Sequence, residues 1–133
     1  MKNILEEFGI NAGKIWTTLN SQGPLPEAKL MQTTKLSDPE FYSAIGWLAR
    51  ENKICKTGTL YQLGETNLTN RIGTNAGKIW KMIEIRGKFD VYDITRLTDM
   101  EERDAYLALG WLARENKIEA KTAIPKEYRM KSR

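Results

Sequence analysis

From Ile4 to Leu19 the apolar residues Ile4, Leu5, Phe8, Ala12, Ile15, Trp16 and Leu19 recur at steps of three and four, the period of an amphipathic helix. Gly23 and Pro24 stop it. Leu25 then predicts a short extended stretch, and Glu27 to Lys35 a second, short helix. Ser37-Asp38-Pro39-Glu40 sets an N-cap hydroxyl ahead of a proline and a carboxylate, which predicts a third helix running to about Glu51. Ile54 to Thr57 and Leu60 to Leu63 flank Thr57-Gly58, the pattern of a β-hairpin.

The pattern then begins again. Asn-Ala-Gly-Lys-Ile-Trp stands at Asn11 to Trp16 and at Asn75 to Trp80; Gly-Trp-Leu-Ala-Arg-Glu-Asn-Lys-Ile stands at Gly46 to Ile54 and at Gly110 to Ile118. Both pairs are offset by 64 positions (11 to 75, 46 to 110), so the chain between the phrases is matched without insertion. This marks a whole folding unit duplicated in tandem, with units at 1–64 and 65–133. The second unit predicts a helix from Leu68 to Ile85, N-capped by Thr66 or Asn67 and ended by Gly87. An extended Phe89 to Tyr92 follows, then a short helix over Asp93 to Leu97 and a third helix from Thr98-Asp99 to Glu115. Strands at Ile118 to Thr122 and Ile124 to Met130 close the unit, the last interrupted by Pro125.

Helix, short strand, helix, helix and hairpin is the element order of a winged helix-turn-helix domain, a mainly α fold with small β-hairpins. The two repeated phrases also resemble a prokaryotic family of winged helix-turn-helix domains of unknown function. The resemblance covers nearly the whole chain twice and implies two tandem winged domains and a DNA-binding fold. It implies no established activity and no catalytic or binding residues.

Composition narrows the function classes. The chain has no histidine and a single cysteine, Cys55, matched by Glu119 in the second unit. The usual residues of metal sites and acid-base catalysis are therefore missing, and the expectation is a protein that is not an enzyme, with no metal and no cofactor. Ala12-Gly13-Lys14 and Ala76-Gly77-Lys78 lack the further glycine and hydroxyl of a phosphate loop. No ligand site of convergent polar groups is legible. No run approaches the ~18 apolar residues of a membrane span, and Met1 to Asn11 is too acidic and polar for a signal peptide. A cytoplasmic chain is expected, nucleoid-associated if it binds DNA. The formal charge of +4 is carried by Ala120 to Arg133, where Lys121, Lys126, Arg129, Lys131 and Arg133 oppose only Glu127; the remainder is neutral.

Two surfaces stand out. Arg50, Lys53, Arg114 and Lys117 lie in matched pairs where the third helix meets the wing; with Lys56 and Lys121 on the wings and Lys126 and Arg129 beyond, they form a candidate strip for double-stranded DNA. On a helical wheel, Phe41, Ala44, Ile45 and Leu48 share the inner face of the third helix, leaving Ser43, Trp47 and Arg50 outside; the second unit places Leu107, Trp111 and Arg114 there. Leu107 and Trp111 thus suggest contact with the other unit, with a protein partner or with a second copy. Asp38, Glu40, Glu101, Glu102 and Asp104 in the first turns of the third helices oppose phosphate, so base reading from those turns is not expected. Two functions follow: a DNA-binding protein, transcriptional or architectural, contacting backbone through wings, helix C-termini and tail, its third helices about 34 Å apart if both enter successive grooves; or a protein-interaction scaffold. Gly13 against Gly46, and Gly77 against Gly110, are the expected helix crossings, with Trp16 and Trp80 in the core.

Overall fold

Each repeat condenses around the inner face of its third helix. In the computed structural model, which describes residues 5–120 and 128–130, the first repeat contains α1 (Glu6–Gln22), β1 (Leu25–Pro26), α2 (Glu27–Thr34), α3 (Asp38–Arg50), β2 (Ile54–Thr57) and β3 (Leu60–Leu63). The second contains α4 (Thr69–Arg86), β4 (Lys88–Phe89), α5 (Val91–Thr98), α6 (Glu102–Arg114), β5 (Ile118–Glu119) and β6 (Tyr128–Met130). Each hairpin captures the short strand after the first helix, giving antiparallel sheets in the orders β1-β3-β2 and β4-β6-β5. Tyr61 pairs with Leu25 in one sheet and Tyr128 with Phe89 in the other. Ile15, Leu30, Phe41, Ile45 and Ile54 are fully buried in the first core, and Ile79, Ile94, Leu109, Ile118 and Tyr128 in the second. Among the described residues no helix is long and apolar enough to cross a membrane.

Capping chemistry fixes the element starts and accounts for the departures from the sequence pattern. The Ser37 Oγ accepts from the Glu40 amide at 3.3 Å while Glu40 accepts from the Ser37 amide at 2.9 Å, the reciprocal box that begins α3. In the second repeat the box belongs to Asp90 and Asp93, at 2.8 and 3.1 Å, and therefore starts α5 at Val91, inside the stretch expected to be extended. The third helix there begins at Glu102, not at Thr98-Asp99, because Asp99 adopts the left-handed conformation (φ 62°) that closes α5. Leu68 precedes the first turn of α4; Thr66 accepts from its amide at 3.2 Å, and Asn67 instead clamps the Lys56 backbone. Lys121, Pro125 and Lys126 lie outside the described residues.

The two repeats are joined along α3 and α6, the most extensive contact between any two elements. A Cβ placed on Gly46 would overlap the Leu107 carbonyl oxygen, and one on Gly110 would overlap that of Ser43. Glycine is what lets the backbones touch. This corrects the expected crossings: Gly46 and Gly110 serve the contact between repeats, while Gly13 and Gly77 have no neighbouring atom within 4 Å of a Cβ position. Trp47 instead lies on Gly9 of α1, and Trp111 on Gly73 of α4. Trp16 is not a core residue, being 39% exposed, and Trp80 is half-buried.

Two alanine substitutions in equally helical surroundings should separate these roles. Gly46→Ala or Gly110→Ala should destabilise the chain by about 3 kcal/mol or more, as overpacking against backbone cannot be relieved by a rotamer change. Gly13→Ala should stabilise it by about 0.5–1 kcal/mol, the helix-propensity gain with no steric cost. Urea unfolding followed by circular dichroism measures both.

Candidate nucleic-acid interface

The C-terminal ends of α3 and α6 come together, so the matched cations of both repeats form one cluster. The Arg50 Nε donates to Glu115 Oε2 at 3.1 Å, and Arg114 Nε to Glu51 Oε2 at 2.9 Å, each bond crossing between repeats. Lys53 stands 3.6 Å from Glu51, and Lys117 3.6 Å from Glu115. Each carboxylate therefore holds one cation from its own repeat and one from the other. The arginine planes also lie over the tryptophans of the opposite repeat, Arg50 at 5.7 Å from the Trp111 ring centroid and Arg114 at 5.8 Å from Trp47. Lys117 stands 5.4 Å from the Trp80 ring. Four half-exposed cations face two largely buried carboxylates, leaving a local excess of positive charge that follows the pseudo-twofold relation of the repeats.

The αL residues Asn52 (φ 60°) and Asn116 (φ 63°) turn the chain at this end. In each copy the next amide bonds back into the helix, Lys53 to the Leu48 carbonyl and Lys117 to that of Leu112. The repeated Arg-Glu-Asn-Lys string is thus a helix terminator, a cross-repeat ion pair and a cationic surface in one.

A profile of the family described as winged helix-turn-helix domain (DUF2582) matches residues 1–63 and again 67–128. The chain belongs to this family, and carries its domain twice. Comparison with curated proteins and with solved structures found no match.

In a winged helix-turn-helix domain the third helix is the element available for a DNA groove. Here the outer faces of α3 and α6 cover each other. Leu107 is 7% exposed, and Trp111 is half-buried beneath Arg50. Contact with the other repeat, one of those that the apolar face suggested, is formed. The separation of about 34 Å that entry of both helices into successive grooves requires is incompatible with backbones in contact. Lys56 lies on β2 with its Nζ 5.3 Å from the Tyr61 ring. Arg129 is on β6, paired in register with Lys88 and Glu119, while Lys121 and Lys126 fall outside the described residues.

One polar assembly was missed in the sequence. Glu27 accepts hydrogen bonds from the Tyr42 hydroxyl at 2.8 Å and the Tyr61 hydroxyl at 3.3 Å. Burial, then the bond and charge of Glu27, push the Tyr42 phenol up to about 12 and the Tyr61 phenol higher still. Arg103 of the second repeat opposes both shifts. The available signal was a departure from the repeat: the positions matched to Glu27 and Arg103 are Val91 and Pro39.

A double-mutant cycle on Arg114→Ala and Glu51→Ala should give a coupling of about 0.5–1 kcal/mol, the range of solvent-screened pairs. It should shrink toward zero in about 1 M salt. Chemical denaturation of the four variants measures it; a coupling that salt leaves unchanged would show that solvent screening is not the governing factor.

Proposed function

We propose that the chain is a non-enzymatic, cytoplasmic DNA-binding protein that holds duplex DNA as an intramolecular pseudo-dimer. Contact is through the phosphate backbone, and α3 and α6 stay out of the grooves. The observation that carries this reading is the twofold-related set of Arg50, Lys53, Arg114 and Lys117, gathered half-exposed on one face at the ends of the paired helices. Lys56 of the first wing, with Lys121, Lys126 and Arg129 of the second wing and tail, extends the cationic complement.

Two physical consequences define the mode of binding. Phosphate competes with Glu51 and Glu115 for the arginines, so association exchanges one set of charge-assisted bonds for another and gives modest affinity. Contacts confined to phosphates position the protein without reading sequence, which favours an architectural role over recognition of one operator. The alternative of a protein scaffold docking through Leu107 and Trp111 rested on an open apolar face, and that face is covered by the other repeat.

Fluorescence anisotropy of a labelled duplex of about 30 base pairs, with random sequence, should show micromolar binding at low salt. If the four cluster cations each neutralise one phosphate, log K should fall against log salt with a slope of about −3 to −4. Lys53→Glu with Lys117→Glu should weaken binding at least tenfold while leaving the fold intact. Absence of binding at low salt, or affinity indifferent to the double substitution, would overturn the proposal.

A further inference from the structure

A second feature, sharing only Lys56 with the proposed DNA contacts, lies where the first wing meets the second repeat. Glu27 of α2, Lys56 and Tyr61 of the wing, Arg71 of α4 and Arg103 of α6 line a recess of about 110 Å³. Its remaining wall is apolar, built from Ile45, Ile72 and Leu107 with Leu68 of the linker. Three cations and four aliphatic side chains thus share the lining of one small cavity.

The charges there are not balanced within the lining. Glu27, its one carboxylate, already accepts from the hydroxyls of Tyr42 and Tyr61. Arg71 reaches Asp104 at 2.9 Å, and Arg103 reaches Glu101 at 3.5 Å, a carboxylate that is 75% exposed. Lys56 has no carboxylate within 4 Å among the described residues and rests over the Tyr61 ring. The recess therefore offers one unpaired ammonium and one guanidinium whose only carboxylate is solvated.

These cations do not follow the repeat. The positions matched to Arg71, Arg103 and Lys56 are Glu7, Pro39 and Ala120. The cationic lining is therefore particular to this junction in sequence: none of its three cations recurs at the matched position of the other repeat.

We propose that this recess binds a small carboxylate with a short apolar tail. The carboxylate accepts from Lys56 and Arg103, the latter offering a fork of parallel N–H donors. The tail lies along Leu68 and Leu107, the apolar lining residues that keep accessible surface. Size limits the ligand: a cavity of about 150 Å³ accommodates benzene, so this smaller one takes about six non-hydrogen atoms or fewer. Since its walls come from both repeats and from the linker, a bound ligand ties the first wing to α4 and α6.

The test is a ¹H–¹⁵N NMR titration of the full chain with sodium butyrate at constant ionic strength, with inorganic phosphate and n-butanol as comparisons. Butyrate should shift the amides of Lys56, Arg71 and Arg103 saturably, with a Kd of about 1 mM or tighter. Butanol should leave them unmoved, and phosphate should bind at least several-fold more weakly. Lys56→Gln and Arg103→Gln should each weaken butyrate at least fivefold, with the rest of the spectrum certifying the fold. No saturable shift, equal or tighter binding of phosphate, or butyrate shifts that survive both substitutions would overturn the assignment. DNA affinity plays no part in the readout, so the site and the DNA-binding proposal fail separately.

Discussion

The backbone contact at Gly46 and Gly110 governs the rest of the molecule. Neither position tolerates a Cβ, because the carbonyl oxygens of Leu107 and Ser43 already occupy that space. Close approach brings α3 and α6 together over their length and buries Ser43 and Leu107 between them. It also sets the helix ends near enough for Arg50 to reach Glu115 and for Arg114 to reach Glu51. Units of about 65 residues bury only about 60% of their unfolded surface; here each completes its burial on the other. The tandem duplication is therefore one cooperative structure, with a pseudo-twofold relation running through the third helices.

That packing reassigns the parts of a winged helix-turn-helix domain. The helix whose outer face would otherwise enter a groove is committed to its own twin. What remains outward is the C-terminal end of each, where four cations and two carboxylates meet, the arginines lying over Trp47 and Trp111. Such a surface suits a regular array of phosphates better than base edges. Where the first wing meets the second repeat, Lys56, Arg71 and Arg103, none of them repeated at the matched positions, line a recess.

Element order, the tandem repeat and the family resemblance were all legible because each depends on local pattern: helical periodicity, the Ser37 capping box, the Thr57-Gly58 turn. Errors arose where one residue can serve two local roles. Asp99 reads as a helix start and is the left-handed end of α5; Asp90 begins that helix three positions before the Asp93 that the pattern suggested. The partners of Gly46 and Gly110 were not legible, since helix-to-helix geometry is set by docking of the repeats and leaves no trace in spacing. Helical spacing places Trp16 with the core residues, yet it is partly open to solvent. That Glu51 and Glu115 each bridge both repeats is likewise absent from the spacing, since it depends on how the repeats dock. The junction recess joins residues as far apart as Glu27 and Arg103, and only their departure from the repeat marked them.

The central claim is that α3 and α6 remain locked together, with or without DNA. Gly13 and Gly77 lie exposed on α1 and α4 with open space beside them. They accept spin labels through Gly13→Cys and Gly77→Cys in a Cys55→Ser background. Pulsed electron spin resonance should give one narrow distance, unchanged when saturating duplex is added. A distance that lengthens on DNA, as it must if the third helices part toward the roughly 34 Å of successive grooves, would contradict the account.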